Sequence, residues 1–230
     1  MEWLPITLLC AFSLASSDAA TKAWLTDYSA RELALVRFTL AGVVLLPGLL
    51  LFPLGSPEPA FWLWVAPLVP LEILAMLLYM KAIRDHPLSL TLPYLAFSPV
   101  FIVVTGWLIL GERVDARGFA GVLLVMAGGW LLNLEHARLR DWRTWLEPLK
   151  AILYEPGSRM MLGVALIFSI TSVIGKGAMV YTSPEAFGAF YFVLIGAVTA
   201  LLFMRGRKKD LNIRGAFLHM AADAGVSLGV

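Results

Sequence analysis

Apolar positions fill this chain in long blocks, and polar positions collect in the short gaps between them. A helix needs about 20 mostly apolar residues to cross a bilayer. Seven blocks are of that kind: Trp3–Leu25, Leu33–Phe52, Phe61–Met80, Leu88–Leu110, the shorter Gly118–Leu134, Met160–Tyr181 and Ala186–Met204. An eighth opens near Ala216, and the sequence stops at Val230 inside it. That stop predicts a fragment or the product of a truncated gene. The pattern predicts an all-α, polytopic transmembrane helix bundle of about seven complete spans plus the start of another. The first block has a rival reading as a signal peptide. Against it, Glu2 stands where a basic n-region belongs, and apolar character resumes after Lys22. The one long polar stretch, Glu135–Ser158, is itself patterned. Leu139, Trp142, Leu146, Leu149 and Leu153 fall on one helix face, with Arg138, Arg140, Arg143 and Lys150 largely off it. This predicts a basic amphipathic helix lying in the membrane surface; the alternative is a solvated linker bent at Pro148.

Composition sharpens the class. Hydrophobic residues make up 60% and charged residues 15% of the 230, and mean hydropathy is +0.80. A water-soluble enzyme could not hide that much apolar surface, and the same figures exclude disorder. The single cysteine, Cys10, excludes an internal disulfide scaffold. A net charge of +2 offers no basic face for nucleic acid. The loop charges orient the chain. Arg31, Lys81, Arg84, Arg138, Arg140, Arg143, Lys150, Arg159, Arg205, Arg207, Lys208, Lys209 and Arg214 belong to one alternating set of loops, and only Arg113 and Arg117 to the other. Positive residues stay cytoplasmic, which places the amino terminus outside the plasma (inner) membrane of a prokaryote.

A weak duplication runs through the spans. Asp18-Ala-Ala-Thr-Lys22-Ala in the first is echoed by Ser172-Val-Ile-Gly-Lys176-Gly in the sixth. Each lysine is followed by a short acidic turn, Glu32 or Glu185. Arg37 falls fifteen residues after Lys22, as Tyr191 does after Lys176. A unit of five spans, being odd, makes its copy run the opposite way through the membrane, the inverted repeat of many secondary transporters. The chain then divides into a first five-helix repeat (1–134), the basic linker (135–158) and an incomplete second repeat (159–230).

The stretch Ser98-Pro-Val-Phe-Ile-Val-Val-Thr-Gly-Trp-Leu-Ile-Leu-Gly-Glu-Arg113, followed by Gly118-Phe-Ala-Gly-Val-Leu-Leu-Val-Met-Ala-Gly128, resembles the fourth and fifth helices of EamA-type members of the drug/metabolite transporter superfamily. Lys22 and Arg37 also fit that family's pattern. The resemblance covers most of residues 1–134, and 160–230 only as the opening of a second copy. It implies ten helices in two five-helix repeats, a cytoplasmic amino terminus in place of the external one the charges favour, and transport. The later helices of the second repeat, with a second Pro…Gly-Glu region, are absent from the 230 residues.

Ionisable groups within a span are costly unless paired or hydrated, so each is a candidate site. Asp18 and Lys22 share a helix face, as a local ion pair or as binders of substrate or proton. Lys22 and Lys176 also sit close enough to helix ends to snorkel. Glu72, mid-span beside Pro70, suits proton coupling, or a hydrogen bond to a neighbouring helix; Asp223 is its candidate counterpart. Arg37 could grip a carboxylate, with pairing to Glu32 or snorkelling as the default. Tyr191 enters as Arg37's repeat counterpart. Pro99, Gly111 and Glu112 form the structural motif, with Glu112 capping or packing the turn before Arg117. Pro93 and Pro99 could break span four and open a polar notch, or be tolerated kinks. Trp62, Trp64, Trp107 and Trp130 suit interfacial belts. Gly118 with Gly121, Gly128 with Gly129, Gly175 with Gly177 and Gly188 with Ala189 suit close helix packing.

No phosphate loop, nucleophile elbow or metal-ligand cluster appears in the sequence, so no enzyme activity, metal or cofactor is expected. The expected function is secondary-active transport of a small metabolite, amino acid or drug-like compound by alternating access, coupled to a gradient such as protons. The alternative is a non-transporting membrane protein, a partner subunit or an inactive fragment. The expected partners are the lipid bilayer, the small-molecule substrate, and a second copy or missing C-terminal helices.

Overall fold

The computed structural model describes residues 3–132 and 154–205. Among them every element is helical: α1 (Trp3–Trp24), α2 (Ala30–Leu45), α3 (Gly48–Leu51), α4 (Pro59–Asp85), α5 (Leu88–Thr91), a 3-10 segment (Leu92–Phe97), α6 (Ser98–Leu110), α7 (Ala116–Leu132), α8 (Pro156–Ala178), a 3-10 turn (Met179–Tyr181) and α9 (Pro184–Arg205). Six stretches are long and apolar enough to cross a membrane, and Ala116–Gly129 is a shorter apolar helix. These are the seven blocks read from the sequence. The sixth begins at Pro156, so Gly157 and Ser158 belong to a spanning helix. The proposed surface helix lies almost wholly outside the described residues, as do the eighth span and Asp223.

Local chemistry sets the boundaries. Pro59 and Pro156 open their helices at positions where a missing N–H costs nothing. Asp115 caps α7, its Oδ1 accepting the Gly118 N–H at 2.8 Å. Ser183 caps α9, its Oγ accepting the Ala186 N–H at 3.2 Å. Gly111 ends α6 in the left-handed region at φ 69°, where a side chain would be strained. Pro67 and Pro70 lie inside α4, which runs through both.

Span four behaves differently. It is interrupted by the 3-10 segment, which starts beside Pro93. Pro99 sits in the first turn of α6, where proline is tolerated. The break therefore belongs to Pro93.

The helices gather into two compact units. The first holds α1 and everything described from α4 through the 3-10 turn; the second holds α2, α3 and α9. In the first unit α8 packs most extensively on α4 and α6, α7 packs on the 3-10 segment, and α1 packs on α4. Neither unit is one half of the sequence. Each joins helices from residues 1–134 with a helix from 159–230.

In the second unit α2 and α9 cross at glycine. A β-carbon placed on Gly42 would lie 3.0 Å from the Phe192 carbonyl oxygen and 3.5 Å from Gly196 Cα. One placed on Gly196 would lie 2.7 Å from the Phe38 carbonyl oxygen and 3.4 Å from Gly42 Cα. The contact is reciprocal: Gly42 meets Phe192, and Gly196 meets Phe38. As residue number rises along one helix it falls along the other, so the two helices cross antiparallel about a local two-fold axis. Gly42 and Gly196, and Phe38 and Phe192, stand at the same offset that separates Lys22 from Lys176. Only hydrogen at these positions lets the backbones come this close.

A membrane bundle with polar ties at both ends

The site begins where α1 crosses α4. Asp18 is 3% exposed and Tyr79 4%. The Tyr79 hydroxyl donates to Asp18 Oδ2 at 2.5 Å. On the far side of Tyr79, the Phe168 ring of α8 lies 6.2 Å away, tilted at 50°. A carboxyl, a phenol and an aromatic ring thus line up across α1, α4 and α8. Glu72 stands half-buried two turns earlier on α4. Its seven-residue spacing from Tyr79 puts it on the same stripe of that helix, about 10 Å along the axis. Tyr79 was not among the residues singled out from sequence; the signal available was a lone tyrosine in an otherwise apolar run.

One turn beyond Asp18, Lys22 does something simpler. Its Nζ donates to the Arg84 carbonyl oxygen at 2.8 Å and to the His86 carbonyl oxygen at 3.1 Å. The first is among the last carbonyls of α4 and the second belongs to the residue that caps it, where carbonyls lack further helical partners. A cation at a helix C-terminus also meets the negative end of its dipole. Arg84 Nε pairs with Asp85 at 2.6 Å. The His86 ring packs on Gly157, where a β-carbon would lie 2.5 Å from it. Lys22 therefore fastens α1 to the α4–α5 connection.

A second lysine fastens the opposite end. Lys176 Nζ lies 2.6 Å from Glu112 Oε1, with both side chains largely exposed. Glu112 follows the left-handed Gly111, whose N–H bonds Trp107 O at 3.1 Å, while the Glu112 N–H bonds Gly106 O at 3.2 Å. This turn aims Glu112 at the end of α8, where it pairs with Lys176. Two candidates read from the sequence, Glu112 and Lys176, are brought together here.

Arg37 is half-buried on α2. Tyr191 is half-buried on α9, stacked on Phe187 at 5.6 Å and edge-on to Phe192 at 5.6 Å. Thr199, on the same helix and fully buried, has no hydrogen-bond partner for its hydroxyl among the described residues.

The broken span four borders a cleft of about 650 Å³. Leu88, Leu92, Pro93 and Ala96 form one wall, and Val125 and Gly128 of α7 the other. The expected polar notch is an apolar one, for a physical reason. Two carbonyls beside the break are already engaged. Thr91 Oγ1 donates to Pro87 O at 3.1 Å, and Ser158 Oγ of α8 reaches Leu90 O at 3.3 Å. Of the expected belt tryptophans, Trp62 and Trp107 are 48% and 57% exposed. Trp64 instead packs on α8, where a β-carbon on Gly177 would lie 2.7 Å from its ring. Gly129 admits Ala96 in the same way, whereas Gly121, Gly128 and Gly188 face open space.

Long apolar helices, a proline-broken span, a buried carboxyl and an antiparallel glycine crossing define a polytopic membrane helix bundle. Residues 1–134 match the EamA-like transporter family, and the chain belongs to that family. It is an integral membrane protein of the bacterial inner membrane. It is similar to two proteins named "Probable 4-amino-4-deoxy-L-arabinose-phosphoundecaprenol flippase subunit ArnE", from Yersinia pestis (strain Pestoides F) and Yersinia pseudotuberculosis serotype O:3. Each is 33% identical over 70 residues, which is 30% of this chain and 61% of the relative. The chain thus covers 61% of the length of these curated relatives. No solved structure matches it.

Proposed function

We propose that the chain is a secondary carrier that moves a small amphipathic molecule across the membrane by alternating access, with proton movement through Asp18. The observation that carries this reading is the Asp18 carboxyl, 3% exposed within a membrane bundle and hydrogen-bonded by Tyr79. An acidic group at such depth is expensive and marks an ion or substrate path. Glu72 supports the reading by sharing the α4 stripe with Tyr79. Carriage, not covalent chemistry, is the role these groups suit. The repeat pair Lys22 and Lys176 supports alternation. Each ties one end of a helix pair, and the two ties lie at opposite ends of the bundle. Arg37 and Tyr191, at equivalent positions of the two repeats, are the candidate cargo contacts in the second unit. The division into repeats of 1–134 and 159–230 is part of this proposal. So is assembly with a second copy or with further helices; the relatives' name includes the word subunit.

The relatives' name describes a charged aminosugar phosphate joined to a long hydrocarbon, which favours an amphipathic cargo over a purely water-soluble one. The test is accumulation in proteoliposomes of the 230-residue chain. A mixture of amino acids, small metabolites and amphipathic amines is offered with and without a pH gradient and read by mass spectrometry. Gradient-dependent accumulation of at least one compound, abolished by Asp18→Asn, is expected. Accumulation indifferent to both gradient and substitution would remove the proton role, and none at all would favour a non-transporting subunit.

A further inference from the structure

We propose that the cleft between the 3-10 segment and α7 holds the hydrocarbon chain of the cargo. This rests on the reading above that the cargo is amphipathic. Several observations converge. The lining is uncharged, and Ser89 is its one polar side chain. Beside the helix break, Thr91 already donates to the Pro87 carbonyl and Ser158 to the Leu90 carbonyl, so a polar headgroup would lose its water there and gain little beyond Ser89. A hydrocarbon chain loses only its contact with water. The volume, about 650 Å³, falls within the range of small-ligand sites. The cleft also lies within the spanning stretch Leu88–Leu110, beside α7 positions that are well exposed: Leu124 at 73% and Val125 at 51%. A chain could enter sideways from the bilayer while its headgroup follows the polar path. Of two adjacent glycines on α7, Gly129 is closed off by Ala96, whereas Gly128 faces open space. Helix packing uses the first, and the second leaves room in the cleft wall. The relatives' named cargo carries an undecaprenol chain, the kind of tail such a groove suits.

The experiment uses the full chain in lipid nanodiscs and a photoactivatable farnesyl phosphate, beside a phosphatidylcholine carrying the same photoreactive group. The expected result is farnesyl cross-links confined to peptides covering 88–97 and 125–129, displaced by unlabelled polyprenyl phosphate. Gly128→Leu fills the open space, and should lower labelling by about five-fold, the effect of losing roughly 1 kcal/mol of apolar contact. Gly121→Leu, on the same helix and also facing open space, should leave labelling unchanged. Competition on the unsubstituted chain decides the matter if Gly128→Leu fails to fold. Equal labelling of these peptides by phosphatidylcholine would overturn the proposal in favour of ordinary bilayer lipid. Cross-links joining two copies through the same peptides would overturn it in favour of a protein interface. Asp18→Asn separates the two readings, since it should abolish proton-driven transport yet retain cleft labelling. Loss of labelling with transport intact would sink the cleft assignment alone.

Discussion

At the residue scale, two polar side chains tie α1 to α4, and each has a different physical task. Tyr79 satisfies a buried carboxyl. Tyr79→Phe leaves Asp18 short of a donor and should cost about 1–3 kcal/mol, visible as earlier thermal unfolding in detergent followed by tryptophan fluorescence. Lys22 neutralises the end of α4. Lys22→Met should cost about 1–2 kcal/mol by leaving those carbonyls without a charged donor, and Lys22→Arg should recover most of it. If Lys22→Met unfolds like the parent chain yet loses transport, the lysine serves cargo and not the helix end. Part of this was legible in the sequence. A lysine and an aspartate one turn apart inside an apolar run signal that something polar awaits them. Their partners were not legible, because Tyr79, Arg84 and His86 lie some sixty residues along the chain, and periodicity carries no long-range pairing.

At the element scale, helix existence followed from block length and hydropathy, and all seven described spans are helices where the apolar blocks fall. The distinction among prolines required context. Pro67 and Pro70 sit inside a continuous α4, Pro99 falls in a first turn, and Pro93 accompanies a real break; residue type alone does not separate these cases. The glycines divide likewise. Those expected to pack do so at Gly129 and Gly177, and face open space at Gly121, Gly128 and Gly188. Gly42 and Gly196, whose contact brings backbone to backbone, drew no attention as isolated glycines. Their shared offset with the lysine repeat was the available signal. Gly196→Ala should be the most disruptive single methyl in the second unit, at about 1–3 kcal/mol, because the atom it meets at 2.7 Å is a carbonyl oxygen that cannot rotate away. Gly42→Ala, at 3.0 Å, should cost less. Gly188→Ala, with nothing within 4 Å, should be neutral or slightly stabilising, since alanine is the better helix former. Chemical denaturation of the three variants in one detergent provides the comparison, and equal destabilisation by all three would contradict the crossing described here.

At the scale of the whole molecule, the duplication and the packing describe different partitions. The proposed repeats divide the sequence near its long polar stretch. The compact units instead combine α8 with α4 and α6, and α9 with α2 and α3. The α2–α9 crossing shows the two-fold relation locally, where Phe38, Gly42, Phe192 and Gly196 meet reciprocally. The first unit is tied separately at its two ends, by Lys22 at one and by the Lys176–Glu112 pair at the other. The latter pair is largely exposed, so Glu112→Gln should cost under about 1 kcal/mol in stability, and a larger effect on transport rate would identify it as part of a gate. The central claim, that Asp18 carries protons for transport, is tested most directly inside vesicles loaded with a pH-sensitive dye. Adding a compound that the reconstituted chain accumulates should acidify or alkalinise the lumen, and Asp18→Asn should abolish that signal while leaving the protein folded. A proton signal of unchanged size in Asp18→Asn, or transport of the compound with no proton signal in the unsubstituted chain, would contradict it.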